Sequence, residues 1–343
     1  MEKDFDYLVA FTPHFLAPWI VIQVAEVLTF SVCFNKYIKI KLLKGILFNF
    51  LYFSKINAFY LLVIEYLLQM DSNITFSKYS IDEKYKNLYT SNEILDNNIE
   101  DVNKIIFRIP KDIKKIDNII LSYDGQNLFD SSTSHFGTIF NLENIIQTYE
   151  RQINKNFLII GITSNSNRQT QYNPYPEFSD INYAEIHIKN VVSKFLPSVT
   201  NFLNVNLDQA NLIVAGASMG GLMSIKTSIL YPEFENIISL SPAFWFGYPQ
   251  VFKDIKNLND KSTVHLYTGK QEGHIFGKHV KDIFPKEWDL DFSNNDNFYF
   301  SGVEKLKDAL LTNKKNVFFS NSASGKHDEN SWSLALIKIF ENL

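Results

Sequence analysis

Five residues constrain this chain more than any others: Gly216-Ala217-Ser218-Met219-Gly220, a G-x-S-x-G run. Leu212 to Ala215 precede it as a short apolar run of buried-strand type. After it, Leu222, Ile225 and Ile229 recur at helical spacing. A chain that turns from buried strand into helix this sharply needs small residues on both sides, and both glycines are present. Such a turn lifts the Ser218 hydroxyl above the sheet edge. It also aims the Met219 backbone N–H at the place where an oxyanion would form. The alternative is an ordinary serine in a glycine-rich turn. The flanking strand and helix favour Ser218 as a nucleophile.

From Lys104 onward the pattern alternates. Strands are expected at Ile105–Ile109, Ile119–Tyr123, Phe157–Ile162, Leu212–Ala215, Ile237–Leu240, Val264–Tyr267 and Asn316–Ser320. Helices are expected at Tyr183–Leu203, kinked at Pro197, and at Val303–Leu311. Trp332, Leu336, Ile339, Phe340 and Leu343 form the apolar stripe of a closing helix. This alternation predicts an α/β domain over 104–343, with a mostly parallel central sheet and helices on both faces.

The N-terminal part reads differently. Residues 1–70 form an apolar extension, and 71–103 read as a polar linker with room for one short strand. Leu16–Phe34 and Ile46–Leu68 flank a basic stretch, Lys36 to Lys44. One reading is a membrane hairpin with an inside-facing loop. Against it, a charge near a helix centre costs about 2.5–3.5 kcal/mol, and each segment carries at least one. The other reading is a packed strand and helix segment, because Ile20, Ile22, Val24, Leu28, Phe30, Val32 and Phe34 keep a strand period. The acidic start, Met1 to Asp6, argues against a cleaved secretory signal.

Composition narrows the partners. A net charge of −4 over 343 residues gives no polyanion-binding surface, so no nucleic acid partner is expected. The single cysteine, Cys33, excludes an internal disulfide and fits a cytoplasmic protein, with membrane contact open only through residues 1–70. No C-x-x-C or H-E-x-x-H spacing occurs, so no metal is expected. Nothing in the sequence speaks to oligomeric state.

A serine hydroxyl needs a base, and the base needs a carboxylate to orient it. In this architecture the order is Ser, acid, His. His265 lies inside a strand, and His274 and His279 sit in a Gly- and Lys-rich loop. His327 follows the last strand and precedes the last helix, at the edge where sites of open α/β sheets gather. It is the candidate base. Glu272 follows the strand Val264–Tyr267 and is the candidate acid; Asp254, Asp260 and Asp282 read as surface groups. Asp328 and Glu329 read as favouring the start of the closing helix. The second oxyanion donor should follow an early strand, where Asp124-Gly125-Gln126 stands; the Gln126 backbone N–H is its candidate. Asp124 and Gly125 are candidate pocket residues or an ordinary Asp-Gly turn, and Phe244 and Trp245 are candidate pocket residues or core.

Six segments together resemble the Putative esterase (esterase D) family of α/β-hydrolases, which includes enterochelin-esterase-like proteins. They are Tyr123 to Asp130, Asn167-Arg168 with Tyr172-Asn173-Pro174, Gly216 to Gly221, Ser241 to Trp245, Gly269 to Glu272, and Gly325 to Glu329 with Trp332. The resemblance implies the α/β-hydrolase fold, no cofactor, and a serine esterase acting on a small-molecule ester, with Ser218, Glu272 and His327 as its triad. Members commonly carry Glu where this chain has Gln171, which puts an ion pair from Arg168 to that position in doubt. Residues 1–70 have no counterpart in it. Two rival readings stand beside hydrolysis: acyl transfer by the same triad, and a non-catalytic, membrane-associated protein that kept the fold.

Overall fold

Branched apolar runs form the centre of one sheet, and polar strands extend its margins. The structure is a computed structural model that describes residues 74–80, 85–96, 101–134, 137–177 and 179–343. The expectations for residues 1–70 lie outside the described residues. In chain order the strands are β1 (Phe76–Lys78), β2 (Leu88–Ser91), β3 (Ile94–Asp96), β4 (Asp101–Asn103), β5 (Ile105–Arg108), β6 (Asn118–Tyr123), β7 (Phe157–Ile162), β8 (Asn211–Ala217), β9 (Asn236–Leu240), β10 (Thr263–Gln271) and β11 (Asn316–Lys326). The helices are α1 (Leu142–Ile153), α2 (Arg168–Gln171), α3 (Tyr183–Asn190), α4 (Leu196–Leu203), α5 (Met219–Leu230), α6 (Gln250–Asp254), α7 (Asn295–Thr312) and α8 (Glu329–Phe340).

Nine strands make one sheet in the order β1-β2-β5-β7-β6-β8-β9-β10-β11. The pairings from β7 through β6, β8, β9 and β10 to β11 are parallel. Those among β1, β2, β5 and β7 are antiparallel. This is the α/β-hydrolase fold. Alternation along each strand divides the core in two. Ile119, Leu121, Leu158, Ile160, Val214, Val264 and Leu266 pack on the face carrying α3, α4, α5 and α7. Ile120, Phe157, Ile159, Ile213 and Tyr267 pack on the face carrying α1 and α8. Successive strand side chains point to opposite faces, so these runs read as continuous apolar stretches when both faces are covered.

Several elements differ from expectation. The stretch 71–103 holds four short strands rather than one, and β1 and β2 extend the main sheet. Helix α1 was not expected. Strands β10 and β11 run on to Gln271 and Lys326, through polar residues held by the backbone ladder. Helix α7 starts eight residues early, where the Asn294 side chain accepts from the Asn297 N–H and caps it. The expected Tyr183–Leu203 helix is interrupted rather than continuous: a wide turn, Val191–Phe195, separates α3 from α4, and Pro197 stands in the first turn of α4. Among the described residues no helix is long and apolar enough to cross a membrane.

Candidate active site

The carboxyl ends of β8, β9, β10 and β11 lie side by side. Ala217 pairs with Leu240, Leu240 with Tyr267, and Tyr267 with Ser320. Ser218 follows β8 with φ 57° and ψ −123°, a conformation costly for a non-glycine residue. The surroundings hold it there. Its N–H donates to the Leu240 carbonyl at 2.9 Å, and its carbonyl accepts from the Ala243 N–H at 3.0 Å. A Cβ on Gly216 would stand 2.4 Å from the Gly220 backbone, so no side chain fits there. Met219 opens α5, and its N–H belongs to the positive end of that helix.

Acid and base meet through an irregularity in the last ladder. Gly269 pairs with Ser322, but Gln271 pairs with Lys326, so β11 carries two extra residues there. The residues that follow, Glu272 and His327, are thereby brought opposite each other. His327 Nδ1 lies 2.9 Å from Glu272 Oε2. Glu272 is fully buried. Its other oxygen, Oε1, accepts from the Gly269 N–H and, at 2.7 Å, from the Ser241 hydroxyl. Ser241 in turn accepts from Trp332 Nε1–H at 2.9 Å. The Trp332 ring stands edge-on to His327 with centroids 4.9 Å apart. An ionised Glu272 fixes the proton of neutral His327 on Nδ1 and leaves Nε2 as the free base.

The other candidates fall elsewhere. His265 is buried against the Phe318 ring, and burial pushes its pKa down to about 4. Asp254 faces Lys226, and Asp260 pairs with Lys315 at 2.7 Å. Asp328 caps α8 by accepting from the Ser331 N–H, and Glu329 occupies the first turn. His274 and His279 line a cleft of about 760 Å³ with Gln271, Gly273 and Lys326. That cleft therefore borders the acid and the base by one residue each.

The loop after β6 is braced from behind. Asp124 is left-handed, with φ 56° and ψ 48°. Arg168 grips its carboxylate with Nε at 2.8 Å and Nη2 at 2.7 Å. Burial alone would raise the Asp124 pKa; the Arg168 guanidinium and further donors outweigh it and hold the carboxyl below the usual range. Its N–H donates to the Tyr172 hydroxyl at 3.1 Å. The Gln126 side chain donates to the Ser164 hydroxyl at 2.9 Å and accepts from the Ser164 N–H at 3.0 Å. The backbone N–H groups of Gln126 and Met219 donate to no acceptor among the described residues.

Two pocket expectations are corrected here. Phe244 is fully buried, wedged against Gly302 and the Phe298 ring, so it belongs to the core. The Asp124 carboxylate is turned inward to Arg168 and is nearly inaccessible. Gly125 is buried against Gly161, where a Cβ would stand 2.5 Å from backbone. Trp245 is partly exposed, 5.2 Å from the Tyr299 ring, which lies 5.4 Å from His327. Gln171 does not face Arg168. It is buried and donates to Asn103 Oδ1 at 2.7 Å. Sequence reasoning missed the roles of Ser241 and of the Asp124–Arg168 pair, although both sit in segments it singled out.

A family model described as "Putative esterase" matches residues 97–343. The chain belongs to this family of serine hydrolases. A curated relative, the uncharacterized protein YbbA of Bacillus subtilis (strain 168), is 26% identical over 159 residues, which is 44% of this chain and 60% of that protein. The esterase fold also matches solved structures at low identity. The siderophore hydrolase EstA of Aspergillus nidulans superposes with a TM-score of 0.56 at 14% identity, over 79% of this chain and 99% of that one. An IroE-like serine hydrolase of Shewanella oneidensis gives 0.52 at 14%, over 74% and 80%. The enterobactin esterase Fes of Shigella flexneri gives 0.51 at 15%, over 73% and 57%.

Proposed function

We propose that this esterase-family protein is a carboxylic-ester hydrolase working through an acyl-enzyme on Ser218. The carrying observation is the fully buried Glu272 held 2.9 Å from His327 Nδ1, at the sheet edge that holds Ser218 in its strained turn. His327 Nε2 takes the Ser218 proton as the oxygen attacks the ester carbonyl. Glu272 stabilises the imidazolium that forms. The Met219 and Gln126 N–H groups donate to the tetrahedral oxyanion. The intermediate collapses, the C–O bond to the alcohol breaks, and His327 gives the alcohol its proton. Water then attacks the acyl-enzyme by the same steps and frees the acid. The substrate is a small-molecule ester, a reading supported by the shared fold of proteins named a siderophore hydrolase and an enterobactin esterase. Trp245 walls one side of the space before His327.

The test is hydrolysis of p-nitrophenyl esters, acetate to decanoate, by wild type and Ser218→Ala. Wild type should turn over, and a fluorophosphonate should label it but not the variant. The variant should lose at least about 10³-fold in kcat/KM. Equal activity of the two proteins would remove Ser218 from the mechanism.

A further inference from the structure

The hydroxyl of Ser241 is not free to turn. An indole N–H is a donor only. Trp332 Nε1–H, 2.9 Å away, therefore occupies a lone pair of Ser241 Oγ. The Ser241 proton is left to Glu272 Oε1, 2.7 Å away. The Tyr299 hydroxyl donates to the Ser241 carbonyl, and the Ser241 N–H donates to the Tyr267 carbonyl at 2.7 Å. The residue is pinned with φ 44°. The Trp332 ring then returns to His327 edge-on. The circuit His327–Glu272–Ser241–Trp332–His327 is closed.

We propose that Ser241 and Trp332 are positioning residues that set the proton affinity of the Glu272–His327 pair, an inference that rests on the proposed roles of those two groups. A donor on Glu272 stabilises the carboxylate most when His327 is neutral and no imidazolium faces it. The Ser241 hydroxyl therefore lowers the proton affinity of the pair as a whole, whichever member holds the proton. Trp332 acts through Ser241 by fixing the direction of that donation.

Other groups facing the pair do not supply this effect. Tyr267 on β10 is pushed up to about 12, mainly by burial. Tyr299 on α7 is also raised well above the ordinary value, by burial and by the charge of Glu272. Both stay neutral through the relevant range. The Asp328 carboxylate is engaged at the α8 cap, and the Lys326 side chain is exposed on β11.

The experiment reads the pair directly. Histidine-labelled ¹³C NMR follows the titration of His327 in a Ser218→Ala background, so it needs no turnover and separates this inference from the hydrolase assignment. Ser241→Ala should move the His327 midpoint up by about half to one pH unit. Trp332→Phe should move it less and in the same direction. The double variant should match Ser241→Ala alone, since Trp332→Phe keeps a ring beside His327 and removes only the N–H that acts through Ser241. In otherwise wild-type enzyme, kcat/KM below the midpoint should fall about three- to tenfold with KM unchanged. An unmoved midpoint in folded Trp332→Phe and Ser241→Ala would overturn the proposal, as would additive shifts in the double variant. A purely structural role would lower the melting temperature and leave the midpoint in place.

Discussion

Arg168→Ala removes the cation that faces a buried carboxylate. Asp124 is almost inaccessible, and Arg168 gives it two charge-assisted bonds, at 2.7 and 2.8 Å. Breaking a buried pair from one side costs about 3–5 kcal/mol. Arg168 keeps 32% of its side chain exposed, so water can enter where it stood. The expected loss is therefore smaller, about 2–3 kcal/mol, or about 4–12 °C in Tm for a unit of this size. The sign of the pH dependence is the sharper test. In wild type the Asp124 pKa is depressed: burial pushes it up, and Arg168 with the other donors pulls it further down. A depressed carboxyl contributes stability that is present above the unfolded value, about 3.9, and is lost as pH falls through the folded value. Without Arg168, burial dominates and the folded value rises above the unfolded one. The site then becomes a penalty that grows as pH rises from about 4 toward neutrality. Urea unfolding of both proteins across that range measures the gap. It should be full near pH 7, narrow toward pH 4, and close only as pH falls through the depressed folded value of wild-type Asp124. A gap that does not change with pH would refute the idea that Arg168 acts by compensating the buried charge.

Two further outcomes follow from the site. Glu272→Gln keeps the shape of the acid but removes its charge, so kcat/KM should fall about 10³–10⁴-fold while Tm moves little; a loss under tenfold in steady-state kinetics would remove Glu272 from its role. Gly216→Ala places a methyl 2.4 Å from the Gly220 backbone, which cannot rotate away. It should cost about 1–3 kcal/mol or more and reduce fluorophosphonate labelling. Gly277→Ala, left-handed but with open space around it, should cost only about 1–2 kcal/mol and keep full labelling.

The Ser218 turn and the Glu272–His327 contact were legible because each residue is announced by its own neighbours. Ser218 has a glycine on either side and a strand and a helix beyond. Glu272 and His327 each stand just past the end of a strand that begins in an apolar run. The sheet centre was legible for a similar reason: β6 and β7 are buried on both faces, so β7 is an unbroken apolar run and β6 carries one from Ile119 to Leu121. Helix α1 was missed although Leu142, Ile145, Ile146 and Tyr149 do recur at helical spacing. Strands β1 and β2 were missed for a different cause. They are three and four residues long at the sheet margin, too short for Phe76, Leu88 and Tyr89 to set a strand period. The outer halves of β10 and β11 escaped because their polar residues are held by the backbone ladder.

What no local pattern announced is what holds Glu272 and its neighbours in place. The Phe244-Trp245-Phe246 run is uniformly aromatic, and only Gly302, on a helix far along the chain, opens the slot that takes Phe244 out of the pocket. Ser241 reaches Glu272 across 31 positions and Trp332 across 91. Asp124 reaches Arg168 across 44. In each case one partner is short and polar, with no helical or strand period to betray it. Its role is fixed by what the sheet order brings beside it. The order β8-β9-β10-β11 puts the end of β9 between the nucleophile strand and the acid strand. The residue that follows β9 must therefore face one or both, and a small hydroxyl there can donate to the acid without crowding it. Once the order of those four strands is known, Ser241 is the first position at which to look for a group that tunes the acid.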